Sequence, residues 1–349
     1  ELGTATYNGY IFVTGGYSGS AFLSTVYSAK INSDGTIGSW NTLNTLPATI
    51  YKPALVTSNG YLYILGGHNA TIALSTVYSA KINSDGTIGS WNTLNTLPAL
   101  RQALAAASYN DYIFVTGGDI TASVAGTSTV YSAQVLGNGT IGTWATLNTL
   151  PQRNNTHTSL AVNGYLYVIG GQDSGVAIYS TVYSAPIKSD GTIGTWATLN
   201  SLPGFRAFAQ ATTANGYIYV SGGTTDGVNA VVSTVFSAKV NTDGTIGTWA
   251  MLNTLPQALS RHGTVAASGY MFFLGGYTGA ATISTVYSTP LQSTNFAYNT
   301  TNTLTNGNLM DFWNNNSSVG GVDYAGRWLS NAGLALNTTT TTPSPNFTS

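Results

Sequence analysis

The sequence predicts an all-β fold of six four-stranded antiparallel sheets closed into a ring, with a C-terminal tail. Three observations predict it. The run from Leu23 to Ala48 recurs letter for letter from Leu74 to Ala99, and looser copies follow. Six glycine pairs, at Gly15, Gly66, Gly117, Gly170, Gly222 and Gly275 with their successors, are spaced 51, 51, 53, 52 and 53 residues apart. Each period reads as four short strands, with turn dipeptides between the first two and the last two. A period near 50 residues holds one four-stranded sheet, which buries its faces only by stacking on neighbours.

The four strands of a unit, a to d, follow in order. Strand a is small and apolar, as in Ala103-Leu104-Ala105-Ala106-Ala107, which suits the crowded centre of a ring. Asn-Gly follows at Asn8, Asn59, Asn163 and Asn215, supplying the positive φ pair of a type I′ hairpin turn. Strand b opens on Tyr (Tyr10, Tyr61, Tyr112, Tyr165, Tyr217, Tyr270) and is apolar at consecutive positions, so both its faces are expected to be buried. The glycine pair ends it. Strand c centres on Val26-Tyr27 and its counterparts, and Asp-Gly or Asn-Gly then turns the chain, as at Asp34-Gly35. Strand d carries Trp40, Trp91, Trp144, Trp196 and Trp249, expected to be buried at the outer seam between sheets. Leu-Pro closes the first five units, since proline cannot donate to a ladder.

The glycine pair, the aromatic beyond the following loop and the later tryptophan resemble the kelch β-propeller family. The resemblance covers residues 1 to about 304 and implies a six-bladed kelch-like β-propeller. The remainder, 305–349, reads as a tail: a hairpin or inter-subunit segment, then a Thr/Pro-rich end. Two features depart from the family. The sixth unit has Tyr298 where Trp is expected, and unit one starts at strand a while unit six ends at strand d. No strand is then left over to lock the ring. Closure rests on blade packing, on the tail, or on residues absent from this chain.

Composition excludes several functions. Charged residues make up 6% of the 349, and the net charge is −1. Nucleic acid and anionic membrane both demand an excess of Lys and Arg. The chain has no cysteine, which removes disulfides, thiolate metal sites and cysteine nucleophiles. No stretch approaches the ~20 apolar residues of a membrane helix. The chain starts at Glu1, in a strand-like segment, and reads as a processed or incomplete product.

Lys52, Arg101, Arg153, Arg206 and Arg261 all follow the Leu-Pro stop, and Asp119, Asp173 and Asp226 follow glycine pairs. Tyr17, His68 and Tyr277 hold similar loop positions. The loops before strand a and after strand b share one face, so these charges are expected to rim one channel mouth. They either hold an anionic group or a sugar, or pair with each other to staple the blades. The Asp34 to Trp40 segment resembles the Asp box of sialidases, but its spacing is one residue longer, so it reads as a turn plus a packing tryptophan. Glu1 is the sole glutamate, and the repeat aspartates are committed to turns, so no carboxylate pair for glycosidase chemistry is apparent. A galactose-oxidase-like copper centre lacks its cysteine. His68, His157 and His262 read as non-equivalent, so no metal and no cofactor are expected. Sequons place candidate glycosylation at Asn69, Asn154, Asn299, Asn316, Asn337 and Asn346; Asn138 sits in a hairpin turn that hinders a sugar.

The expected function is a non-enzymatic structural or adhesive protein, secreted or held at a cell surface. Its expected partners are copies of itself, joined through the tail into an assembly or filament, or other surface proteins. The alternative is a carbohydrate-binding module using the charged mouth; a hydrolase or oxidase is the remaining reading.

Overall fold

The computed structural model describes residues 2–121, 126–173 and 177–291, and the strand backbones at 297–299, 308–314, 317–323 and 328–330. Contacts divide the chain into two compact units, 1–290 and 291–349. The boundary expected near 304 falls among residues outside this description.

The first unit is the six-bladed β-propeller that the repeat predicts. Strand a spans Gly3–Tyr7, Ala54–Ser58, Ala105–Tyr109, Thr158–Val162, Gln210–Ala214 and Gly263–Ala267 in successive blades. Strand b spans Tyr10–Thr14, Tyr61–Leu65, Tyr112–Thr116, Tyr165–Ile169, Tyr217–Ser221 and Tyr270–Tyr277. Strand c spans Val26–Lys30, Val77–Lys81, Val130–Gln134, Val182–Pro186, Val235–Lys239 and Thr282–Pro290. Strand d has two ladder residues in each of blades one to five, the first pair being Asn41–Thr42. Every pairing is antiparallel, and each sheet runs a, b, c, d in chain order. Blade six differs from the expectation: its described sheet has three strands. The Asp-Gly or Asn-Gly turn that folds strand d back in blades one to five is missing from its sequence.

Neighbouring a strands pack side by side around the whole circle, blade six on blade one included. Ring closure therefore rests on blade packing. Ile11 and Ile31 of blade one share a buried cluster with Val265, Phe272 and Leu274 of blade six. Similar apolar layers fill the other seams, with strand b buried on both faces, as at Leu62, Tyr63, Ile64 and Leu65. The opening tyrosine of strand b lies over the c–d turn glycine of the next blade: Tyr10 on Gly86, Tyr61 on Gly139, Tyr112 on Gly191, Tyr165 on Gly244 and Tyr270 on Gly35. The last pair gives the closing seam the same contact as the rest.

The glycine pair serves this stacking. A Cβ on Gly66 would sit 2.6 Å from the Arg101 carbonyl of the next blade, and Gly67 donates its N–H to that same carbonyl at 2.8 Å. Gly15-Gly16 treats the Ile50 carbonyl in the same way.

The tryptophans sit at the outer seams but are not fully buried. Trp40 is 38% exposed and the other four are half-buried. Each indole edge reaches the rim, and in blades two to five its polar N–H finds a partner there. Trp91 donates to the Asn44 carbonyl at 2.9 Å, and the Asn44 amide returns bonds to the Ile88 and Gly89 carbonyls at 3.2 and 3.1 Å. Trp144, Trp196 and Trp249 repeat the clasp on Asn95, Asn148 and Asn200. Trp40 makes no such bond among the described residues. Trp91→Phe is therefore expected to cost about 1 kcal/mol in denaturant unfolding, and Trp40→Phe distinctly less.

In the second unit, Ala297–Asn299, Asn308–Asn314, Ser317–Asp323 and Trp328–Ser330 form an antiparallel meander. Tyr298 pairs with Phe312, not with strand c of blade six. The reading of Tyr298 as a blade-six strand d is corrected accordingly. The Thr/Pro-rich end lies outside the described residues.

Candidate functional site

The d–a and b–c loops share one face of the disc, as expected. At five blade entries the backbone kinks to positive φ two residues before strand a: Lys52 (56°), Ala103 (49°), Thr156 (53°), Phe208 (55°) and Arg261 (56°). Backbone bonds join the last four of these residues into an arc. Thr156 N–H donates to the Ala103 carbonyl at 3.1 Å, Phe208 to Thr156 at 3.0 Å, and Arg261 to Phe208 at 3.1 Å. This arc, with Lys52, edges the channel mouth.

The five cations do not form one ring. Lys52 and Arg261 stand at the mouth and converge on Phe208, with Lys52 Nζ 5.8 Å and Arg261 Cζ 4.1 Å from the ring centroid. Cations are attracted to an aromatic face. Arg101 and Arg206 sit earlier in their loops and are buried between blades. Arg101 donates to the Leu100 carbonyl (2.7 Å), Thr129 Oγ1 (2.5 Å) and Tyr131 OH (3.1 Å). Arg206 repeats this with Phe205 and Thr234, stacked 5.1 Å from the Phe236 centroid. Burial lowers both guanidinium pKa values. These two arginines brace blades and are shielded from a ligand.

Arg153 meets Asp173 at 3.9 Å, the one salt bridge among the described residues. So exposed a pair contributes little. Asp119 is buried and accepts the Asn155 amide at 2.6 Å. Asp226 is spent on its own loop, accepting the N–H groups of Val228, Asn229 and Ala230, which lower its pKa.

What the mouth gathers instead is aromatic. Tyr17, Phe22 and Tyr51 come from adjoining loops. Phe22 stacks on Tyr51 at 5.2 Å, Tyr17 lies 5.5 Å from Phe22, and Phe22 meets His68 edge-on at 6.1 Å. Lys52 Nζ stands 5.3 Å from the Tyr51 centroid, and Arg261 Cζ 5.5 Å from Tyr277. Tyr17 is 40% exposed. Burial, followed by the Lys52 charge, lowers the His68 pKa.

His157 and His262 are equivalent, contrary to the reading from sequence. Each comes six residues after its Leu-Pro proline, Pro151 or Pro256. His157 Nε2 lies 2.8 Å from Thr116 Oγ1, which also meets Ser159 Oγ at 2.7 Å. His262 repeats this with Ser221 (2.9 Å) and Thr264. Among the described residues, no group of three His, Asp or Glu side chains is placed to hold a metal.

Of the sequon residues, Asn69 is half-buried, its Oδ1 accepting Thr71 and Ile72 N–H. Asn154 is 1% exposed and its amide donates to the Gly170 carbonyl at 2.8 Å, so the fold closes it to a sugar. Asn299 lies in a strand of the second unit. Asn316, Asn337 and Asn346 lie outside the described residues.

The fold and its seams define a repeat propeller with a polar-aromatic mouth. It is a kelch-repeat β-propeller. Kelch-like protein terF of Aspergillus terreus (strain NIH 2624 / FGSC A1156) is 27% identical over 286 residues, 77% of this chain and 60% of that protein. Alpha-scruin of Limulus polyphemus is 28% identical over 140 residues, 39% of this chain and 14% of that protein. The chain thus spans only part of the curated relatives it matches. A solved structure titled "Structure of YjhT" superposes with a TM-score of 0.66 at 13% identity, covering 82% of this chain and 93% of the other, a likeness of fold alone. No protein-family model matches the chain.

Proposed function

We propose that this propeller is a non-enzymatic interaction module that binds a protein partner, a second copy included, through its mouth face. The carrying observation is the cluster of Tyr17, Phe22 and Tyr51 beside Lys52, flanked by Phe208 and Arg261. Aromatics and arginine on rigid loops are the side chains that dominate protein interfaces. The low charge, absent cysteine and near-identical blades support a structural or adhesive role at an extracellular surface.

A photo-crosslinking residue replacing Tyr17, and separately Ser33 on the opposite c–d turn face, tests this in native surface extract. A discrete protein adduct, or a covalent dimer of the chain, is expected from position 17 and not from position 33. Equal adducts from both positions, or none from position 17, would refute the reading.

A further inference from the structure

The inner layers of the closing seam match those of the other seams, but its outer layer does not. In blades one to five, strand d seals strand c. Leu43 N–H donates to the Val26 carbonyl at 2.9 Å and Leu46 N–H to the Ser24 carbonyl at 2.8 Å, and blade two repeats both bonds at Val77 and Ser75. Val286 and Ser284 hold these positions in blade six, and among the described residues their carbonyls accept no such bond. Burial follows the same division. Ser28, Ser79, Ser132, Ser184 and Ser237 are at most 7% exposed, whereas their counterpart Ser288 is exposed. The clasp across the seam is also incomplete. Asn44 of blade one accepts the Trp91 N–H and bonds the Ile88 and Gly89 carbonyls of blade two. On the closing seam Trp40, Ile37 and Gly38 hold the receiving positions, and among the described residues no asparagine meets them.

The occupant this edge fits is an extended strand carrying an asparagine two residues before a leucine. The chain holds a further copy of that strand beyond blade five. Residues 299–304 read Asn-Thr-Thr-Asn-Thr-Leu, which differs from Asn41-Thr42-Leu43-Asn44-Thr45-Leu46 at Thr301 alone. Asn299 ends Ala297–Asn299, the edge strand of the meander, which pairs with Asn308–Asn314 and not with strand c of blade six. Residues 300–304 lie outside the described residues. One chain thus carries an open edge and, elsewhere, the sequence that matches it. We propose that blade six receives residues 299–304 of a second copy as its fourth strand, with Asn302 in the place of Asn44 and Leu304 in that of Leu46. An unpaired strand edge is a template for a strand from another chain. The joint brings together two different surfaces, so it propagates from copy to copy rather than closing on a pair. It lies at the outer edge of the ring, separate from the mouth face proposed to meet a protein.

Light scattering on the full chain over a concentration series tests it. The parent is expected to gain mass with concentration, beyond a dimer. Ser288→Lys sets a charge where the joint would bury it, and Leu304→Asp does so from the strand side. Each is expected to weaken association about tenfold or more. Ser288 is exposed in the single chain, so its replacement leaves the fold intact, and Asn302→Ala is a second strand variant that spares Leu304. In an equimolar mixture of the Ser288→Lys and Leu304→Asp chains, one supplies a sound strand and the other a sound edge. That mixture is expected to stop at a dimer. A parent that stays monomeric at every concentration, association unchanged in all three variants, or a mixture that gives no dimer would each overturn the proposal. None of these results bears on the mouth face, which crosslinking from position 17 reports separately.

Discussion

Gly139→Ala is expected to lower the melting temperature by about 5 °C or more, while Gly164→Ala lowers it only slightly. Both glycines sit in hairpin turns at a φ of +81°, so the backbone strain of a left-handed alanine, about 1–2 kcal/mol, is common to both. Their surroundings differ. Nothing lies within 4 Å of the place a Gly164 Cβ would occupy, whereas a Gly139 Cβ would be driven into the ring of Tyr61 on the preceding blade. That ring cannot retreat easily. It packs on Tyr63, at 6.4 Å between centroids, and Tyr63 is fully buried with its hydroxyl bonded to the Gly139 carbonyl at 3.1 Å. Overpacking of such a site costs about 1–3 kcal/mol beyond the strain. Thermal unfolding of the two variants in parallel isolates the seam contact. Equal shifts would mean that tyrosine-on-glycine stacking contributes nothing to holding blades together.

These seams explain what could be read from sequence and what could not. The glycine pairs and the tyrosine that opens strand b are local signals repeated six times, and the Asn-Gly turn recurs in four blades, so blade number and strand order follow from spacing alone. The reason for the glycine pair is non-local. Gly66 is small because the Arg101 carbonyl approaches from the next blade, and no window of sequence displays that. The expected ring of cations fails for a countable reason. Lys52 and Arg261 each lie five residues beyond their proline, Arg101 and Arg206 three, and Arg153 two, so they occupy different places along one loop. Residue type grouped them, and register separates them. The same count pairs His157 with His262. It also exposes a two-blade repeat in which Arg101, Tyr131 and His157 correspond to Arg206, Phe236 and His262. The aromatic mouth was harder to find, because Phe22 and Tyr51 are ordinary loop residues until two blades bring their rings to 5.2 Å.

The paired histidines carry the second large effect, a loss of stability in mild acid. Burial pushes the His157 pKa down to about 4 and that of His262 to about 3, against 6.5 for the free side chain. Both imidazoles are neutral in the folded protein at neutral pH, with Nε2 engaged by Thr116 or Ser221 and Nδ1 buried without a partner. A proton added there would be a buried charge with no acceptor. The unfolded chain accepts both protons below pH 6.5 and the folded chain does not. Stability is therefore full above that pH, and it falls as pH drops toward 4. At about 1.4 kcal/mol for each unit of pKa difference, each histidine withdraws about 3 kcal/mol by pH 4. The turn carboxylates act in a lower window. Asp34, Asp85, Asp190 and Asp243 accept a threonine hydroxyl and N–H, which hold their pKa values below 3.8, so their protonation adds little until pH falls further. Denaturant unfolding at pH 7, 5.5 and 4.5 should show the slope in the parent. It should be largely flat in the double variant His157→Gln, His262→Gln, whose amides still reach the Thr116 and Ser221 hydroxyls. The comparison is of slopes, because glutamine shifts stability at every pH alike. Parallel slopes in parent and variant would locate the acid sensitivity elsewhere, and His68, partly exposed beside Lys52, would be the next residue to replace.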